Sequence, residues 1–320
     1  MTAGLPSVPQ GTPAIELAKV VKRYGPVAAL QELTLGVDPG EMFGLIGPDG
    51  AGKTTAIRVI CGLLHADSGR VRVLGRDPVV DRRAITALVG YLSQRFSLYG
   101  DLTIDENIAF FAEMHGMRDY GRRRDQLLEM TQLTPFRARL ADRLSGGMKQ
   151  KLALACTLIH EPRVILLDEP TTGVDPVSRR EFWKLLSECL AQGITIVMST
   201  PYLDEAERCG RVALIHEGRV LALDTPAHLR ARLPGRMVEV LAPGAPGAVD
   251  AIRMLPGVIE AQAFGERVHV RLADDSTALR ARFESALAAS PVGPAPVRAI
   301  AASLEDVFIA ELSGTEVANA

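Results

Sequence analysis

Little in this chain of 320 residues points to a charged polymer, a bound metal or a membrane interior. The formal net charge is -2, from 36 basic and 38 acidic residues, so no strong positive field is on offer to a polyanion and nucleic acid is not an expected partner. The basic run Arg122–Arg124 reads as a solvated helix face. The four cysteines (Cys61, Cys156, Cys189, Cys209) form no C-x-x-C pair and have no histidine at metal-ligand spacing, so free thiols in a reducing compartment are expected. No apolar run approaches the roughly 20 residues that span a bilayer. Residues 1–14 have no basic start and no apolar stretch, and read as a loose tail instead of a signal peptide. Work at a membrane would therefore pass through a separate partner.

What is present is an ordinary folded composition, 47% hydrophobic and 23% charged, in strands alternating with helices. Ile15–Tyr24 and Leu33–Val37 read as strands, with a turn at Asp38-Pro39-Gly40. The apolar run Met42–Ile46 stops at Gly47, and a helix opening near Lys53 carries Ile57, Ile60 and Leu64 at helical spacing. Val89–Leu92 is a further strand, and Thr103-Ile-Asp-Glu106 is a capping box. Residues from about Arg118 to Arg143 read as helical and polar, part of a helical subdomain inserted at about 95–150. A helix follows Gly146–Gly147. Val164–Leu167 is a buried strand ending in Asp168, Asp175-Pro176 opens the next helix, and Ile194–Ser199 is the next strand. The alternation predicts an α/β fold with a mostly parallel sheet covered on both faces. Composition changes near Pro234, and beyond it the order βαββαβ predicts a small ferredoxin-like α+β domain, followed by a last helix from Ser303. The expected domains are 15–233 and 236–313.

Gly47-Pro-Asp-Gly-Ala-Gly-Lys-Thr54 matches G-x-x-x-x-G-K-[ST] between a strand and a helix. Its glycines let backbone amides form an anion nest at a helix N-terminus. Lys53 can then reach the outer phosphates of a nucleotide, and Thr54 can ligate Mg²⁺. The strand Val164–Leu167 delivers Asp168 as a second metal holder and Glu169 as a group to polarise the attacking water.

Leu144-Ser-Gly-Gly-Met-Lys-Gln150 then decides the family: the sequence resembles the ABC ATPases, whose signature LSGGQ it matches except at Met148. The resemblance covers about residues 15–233. It implies a P-loop ABC cassette that binds ATP and Mg²⁺, with catalytic roles at Glu169, Lys53 and Gln94. The implied nucleotide contacts are Tyr24 on the adenine, the loop residues Gly47, Asp49, Gly50, Ala51, Gly52, Lys53, Thr54 and Thr55, and Ser145, Gly146 and Gly147 on the γ-phosphate held by an opposing cassette. Metal ligands would be Thr54, Gln94 and Asp168. Gly173-Val-Asp175 matches the loop that crosses the dimer interface. The implied partners are membrane permease subunits and a second cassette, on the cytoplasmic face of the inner membrane. The segments Gln94–Tyr99 and Thr200–Ala206 resemble the first ATPase half of tandem multidrug exporters, and Ser303–Ile309 resembles the tail of daunorubicin-resistance-type exporter ATPases.

One position departs from the family. Where its switch histidine is expected, the chain has Pro201, which offers neither a side-chain donor nor an amide N–H. Slow hydrolysis and a heterodimer with a complete partner site are expected, unless Tyr202 or a neighbour substitutes. Asp49 stands where many family loops carry asparagine. A binding-only regulatory cassette and an ABC ATPase outside transport are the alternatives; long coiled-coil insertions or basic arms, which would favour the latter, are lacking. In residues 236–313 no catalytic set is visible, and His269 on an alternating strand reads as structural.

Overall fold

The computed structural model describes residues 12–94, 98–242, 247–274 and 276–319. Most of the 1–14 tail and Arg95–Ser97 of the Gln94–Tyr99 segment lie outside the described residues. Ala14, which the sequence reading puts in the tail, is fully buried and donates its N–H to the Val37 carbonyl.

The chain divides into two compact units, Met1–Pro226 and Ala227–Ala320. In the first, β1 (Ile15–Tyr24) and β2 (Val27–Val37) precede β3 (Met42–Ile46), α1 (Lys53–Ile60), β4 (Ser68–Val73), α2 (Arg82–Leu88) and β5 (Val89–Leu92). The helices α3 (Ile104–Met114), α4 (Gly121–Met130) and α5 (Gly146–Leu158) follow. Then come β6 (Val164–Asp168), α6 (Pro176–Ala191), β7 (Thr195–Thr200), α7 (Leu203–Ala206), β8 (Arg211–His216) and β9 (Arg219–Asp224).

The main sheet runs β5-β6-β7-β3-β8-β9, with every pairing parallel except the last. Every residue of β3, β6 and β7 is buried, which is why these strands are nearly continuous apolar runs instead of alternating ones. A second, antiparallel sheet, β2-β1-β4, shares a core with α1 built on Ile15, Leu17, Leu30, Ile57 and Ile60. The capping box at Thr103 and Glu106 forms reciprocally and starts α3. The stretch Arg118–Arg143, expected to be helical, is so only in part: α4 ends at Met130, Gln132 has φ +60°, and only single 3₁₀ turns follow at Thr134–Phe136 and Ala141–Arg143. Pro135, which has no N–H to donate, starts the first of them. Of the basic run on α4, Arg123 and Arg124 reach acidic partners, Glu161 at 3.8 Å and Asp105 at 3.9 Å.

In the second unit, α8 (Pro226–Arg232) leads into β10 (Arg236–Leu241), α9 (Ala248–Arg253), β11 (Val258–Phe264), β12 (Arg267–Leu272), α10 (Thr277–Ala288), β13 (Val297–Ala299) and α11 (Leu304–Asn319). Its boundary falls at Pro226, ahead of the composition change at Pro234. The antiparallel sheet has the order β11-β12-β10-β13, the arrangement a βαββαβ ferredoxin-like unit requires. Val238, Val240, Val268 and Val270 share one face and pack with Ile252, Phe283 and Leu287. All four cysteines are free thiols. Burial holds Cys209 up at about 12 and Cys189 at about 11, so neither carries thiolate character at neutral pH.

Candidate functional site

The C-terminal ends of the parallel strands converge, as crevice sites in open α/β sheets do. The loop after β3 turns into α1 through Gly52, whose φ of +102° an L side chain rarely adopts; a Cβ there would also strike the Ala29 carbonyl oxygen. No side chain caps α1, so the amides of its first turn, at Lys53, Thr54 and Thr55, are presented to whatever lies beyond the helix end. Gly47 and Ala51 are buried at the base of the loop, while Asp49 and Gly50 are exposed at its crest.

Lys53 is 3% exposed. Its Nζ donates to the carbonyls of Gly47 and Pro48 at 2.8 and 2.9 Å and stands 3.5 Å from Glu169 Oε1. Thr54 Oγ1 donates to Asp168 Oδ1 at 2.9 Å across 114 residues of sequence. Gln94 Nε2 donates to Glu169 Oε2 at 2.9 Å. The structure thus brings Lys53, Thr54, Gln94, Asp168 and Glu169 to one place.

Ser199, which no motif had marked, belongs to the same cluster. Parallel pairing of β6 with β7 sets it opposite Asp168. Its hydroxyl donates to Asp168 Oδ1 at 2.8 Å and accepts from the Glu169 amide at 3.0 Å. The signal in the sequence is slight: two adjacent hydroxyl residues, Ser199 and Thr200, closing a mostly apolar strand. Glu169 itself sits at φ +48°, a left-handed conformation that costs a non-glycine residue about 1–3 kcal/mol. Such strain persists where surrounding bonds over-determine it, and Ser199, Lys53 and Gln94 supply them.

Asp168 is 1% exposed, and its Oδ2 is buried with no hydrogen-bond partner. An orphaned carboxylate oxygen beside a threonine hydroxyl suits a hard cation, and among the described residues no group of three or more His, Cys, Asp or Glu forms a self-sufficient metal cage. A cation held by one or two protein oxygens and completed by phosphate oxygens, as Mg²⁺ prefers, fits this donor set.

The other expected residues lie apart. Tyr24, at the end of β1, is 47% exposed, with Lys22 Nζ 5.9 Å from its ring centroid; it is not a core tyrosine. Ser145 caps α5, accepting from the Met148 amide at 3.3 Å, and Ser145 and Gly146 are exposed. Gly147 is buried so closely on α6 that a Cβ would strike Ser178. The hydrogen bonds of this helix start do not reach Lys53 or Thr54. Its link to the cluster is Gln150, fully buried one turn further on, whose Nε2 donates to the Pro170 carbonyl. Gly173, at φ +75°, and Asp175, which caps α6 by accepting from the Val177 and Ser178 amides, form the next loop. Hydrogen bonds from Ser178 and Val177 hold the Asp175 carboxyl below its usual range. Pro201 is half-buried, directly after β7.

A glycine-rich phosphate loop on a mostly parallel sheet, facing two acids at a neighbouring strand end, defines a P-loop α/β cassette. The family model described as ABC transporter matches residues 30–172. The chain is 44% identical over 253 residues to the "Probable multidrug ABC transporter ATP-binding protein YbhF" of Escherichia coli (strain K12), an alignment that covers 78% of this chain and 44% of that protein. It therefore spans less than half the length of that relative. The daunorubicin resistance ATP-binding protein DrrA2 of Streptomyces coeruleorubidus is 36% identical over 313 residues, 96% of this chain and 97% of that one. Among solved structures, the dimeric structure of MJ0796, a bacterial ABC transporter cassette, superposes with a TM-score of 0.61 at 27% identity, covering 66% of this chain and 98% of that one. The chain belongs to the ABC transporter ATP-binding protein family.

Proposed function

We propose that this chain binds MgATP at Gly47–Thr54 and hydrolyses it as the ATPase subunit of a multidrug-type ABC exporter. The observation that carries the reading is the meeting of Lys53 with Glu169 at 3.5 Å and of Thr54 with Asp168 at 2.9 Å, on the edge where the loop amides open.

In this reading Tyr24 stacks on adenine, a task that needs only an exposed ring face. The amides from Asp49 to Thr55 cradle the phosphates, and Lys53 turns from its carbonyl partners to the γ-phosphate. Thr54, Asp168 and Gln94 would hold Mg²⁺, which when bound neutralises charge on the phosphate oxygens. Glu169, freed from Lys53, orients a water and accepts its proton as the water oxygen bonds to the γ-phosphorus and the bridging oxygen leaves with ADP. Ser145, Gly146 and Gly147 close on the γ-phosphate of an opposing cassette, which suits a helix start left exposed.

No helix among the described residues is long and apolar enough to cross a membrane. In this reading the family resemblance assigns the membrane step to separate permease subunits, with this chain peripheral on the cytoplasmic face of the inner membrane. A shallow recess lined by Tyr91, Leu92, Ser93, Leu98, Phe111 and Cys156 lies close in sequence to Gln94 and is the contact we assign to the permease. The names of YbhF, a probable multidrug transporter protein, and DrrA2, a daunorubicin resistance protein, support drug-like cargo.

Pro201 lowers the rate in this reading. A missing donor to the developing charge costs about 2.7–4 kcal/mol of barrier. The site then holds ATP, while an opposing cassette turns over; the exposed Ser145–Gly146 start remains able to serve that partner. Steady-state hydrolysis by the purified chain tests this beside Glu169→Gln and Pro201→His. A wild-type rate near that of Glu169→Gln, raised by histidine, is expected. A high rate that histidine does not improve, or a fully active transporter built on a homodimer of this chain, would reject the slow site and the heterodimer. Pro201 also favours a second reading, a binding-only cassette, which predicts that Pro201→His gains nothing from an already background rate.

A further inference from the structure

One carboxylate of the Thr200–Ala206 segment, outside the nucleotide cluster, is enclosed in the first unit. Glu205, on α7, is 1% exposed. Its Oε1 accepts from Thr171 Oγ1 at 2.6 Å and its Oε2 from Thr200 Oγ1 at 2.7 Å. Thr200 Oγ1 in turn accepts from the Tyr202 amide at 3.0 Å. Arg179 of α6 brings its Nε to 3.7 Å from Glu205 Oε1 and lays its guanidinium over the Tyr202 ring, 5.0 Å from the centroid.

A carboxylate this deep is costly to desolvate, and an apolar side chain would fill the space more cheaply. What it adds is direction. It ties together the loop after Glu169, the end of β7 on either side of Pro201, and the helix that opens after Gly173–Asp175. Three consecutive residues are thereby fastened to three different elements. Glu169 is held by Ser199 of β7, Pro170 by Gln150 of α5, and Thr171 by Glu205 of α7. The first of them is the residue with φ +48°, whose conformation relaxes unless its neighbours hold it.

We propose that Glu205 is a positioning residue for hydrolysis: through Thr171 and Thr200 it fixes the loop that carries Glu169 and supplies the anchoring of the β7 end that Pro201, lacking any donor, does not. This rests on the reading of Glu169 as the group that receives the proton from water. The test measures MgATP turnover, affinity for the fluorescent nucleotide MANT-ATP, and backbone hydrogen exchange, in the full chain and in Glu205→Ala, Glu205→Gln and Thr171→Val. Glu205→Ala is expected to speed exchange in residues 171–175 and, where turnover stands above the Glu169→Gln rate, to lower kcat about 10- to 100-fold, with KM and MANT-ATP affinity within about twofold. Glu205→Gln, whose amide can accept from one threonine and donate to the other, retains most of the rate. Thr171→Val lowers kcat too, and adds little in the Glu205→Ala background because both remove one tie.

The exchange measurement decides the matter even where turnover is at the Glu169→Gln background. Unchanged exchange in 171–175, or a loss of affinity together with faster exchange throughout the first unit, overturns the proposal. Absence of MANT-ATP binding by the unsubstituted chain would instead overturn the nucleotide reading, and exchange in 171–175 would still decide what Glu205 holds.

Discussion

Both units bury polar side chains, but they treat them differently. In the second unit the buried charges meet opposite charges, some of them on exposed side chains, although Arg271 Nε keeps no hydrogen-bond partner. Glu239 meets Arg298 at 2.7 Å and Arg267 at 3.1 Å, Arg271 meets Glu260 at 2.9 Å, and His269 bonds Asp306 at 3.1 Å while stacking on Phe264. In the first unit Lys53 spends its hydrogen bonds on two backbone carbonyls, Glu169 sits in a strained conformation, and Asp168 keeps an oxygen with no partner. A cluster in which each buried charge faces an opposite one holds a fold together, whereas one that leaves a carboxylate oxygen unpaired beside an uncapped helix start is arranged for something that arrives from outside.

The sharpest way to separate the two units is to damage the second. Phe283 is fully buried beneath its sheet, and Phe283→Ala should destabilise that unit by about 3–5 kcal/mol. Calorimetry should show a transition moved down, with MANT-ATP affinity unchanged; a parallel loss of affinity would break the comparison. Next in size, Lys53→Ala should abolish MANT-ATP binding at micromolar concentration and lower any hydrolysis by about 10²–10³-fold, the scale of removing one preorganised donor. Retained binding would mean that the Gly47–Thr54 loop is not the phosphate site.

A smaller change sharpens the role of the unpredicted serine. Ser199→Ala removes one of two donors to Asp168 Oδ1 and an acceptor for the Glu169 amide, so where turnover stands above the Glu169→Gln rate kcat should fall about 10- to 100-fold, in line with about 1.5–3 kcal/mol for a hydrogen bond to a charged group. MANT-ATP affinity should hardly move; a pure affinity loss would place Ser199 in binding instead.

The smallest effect concerns pH. His160 stacks on His115 with ring centroids 3.8 Å apart, and its Nδ1 is buried without a partner. Burial first, then the neighbouring His115, lowers its pKa from 6.5 to about 4, against an opposing bond to the Val89 carbonyl. The fold therefore favours the neutral ring. Its contribution is present above 6.5 and is lost as pH falls through 6.5 toward about 4, because the unfolded chain takes up the proton first. Thermal melts over that range should fall less steeply for His160→Gln than for the unsubstituted chain; parallel slopes would assign the acid loss to the carboxylates.

Much of the fold was legible because its signals are local. The capping box at Thr103 and Glu106, the β3–loop–α1 order around Gly47–Thr54, and the Asp175-Pro176 helix start depend on residues within a few positions of one another. The polar stretch 118–143 was read too long, since composition favoured helix while Pro135 and the turn at Gln132 ended it. Strands β4, β8 and β9 and the short helix α7 were not foreseen, although α7 carries Glu205.

By itself the sequence determined the glycine-rich loop Gly47–Thr54, the order of the motifs and the proline that follows the strand at Pro201, because glycine positions, helix caps and prolines are properties of adjacent residues. Only the tertiary structure decided that Ser199 would hold Asp168 and that Glu205 would hold Thr171. Those pairs stand 31 and 34 residues apart, and what joins them is the parallel register of β6 against β7 and the fold of α7 behind it. Register depends on packing across the whole sheet, and no short stretch of sequence encodes it.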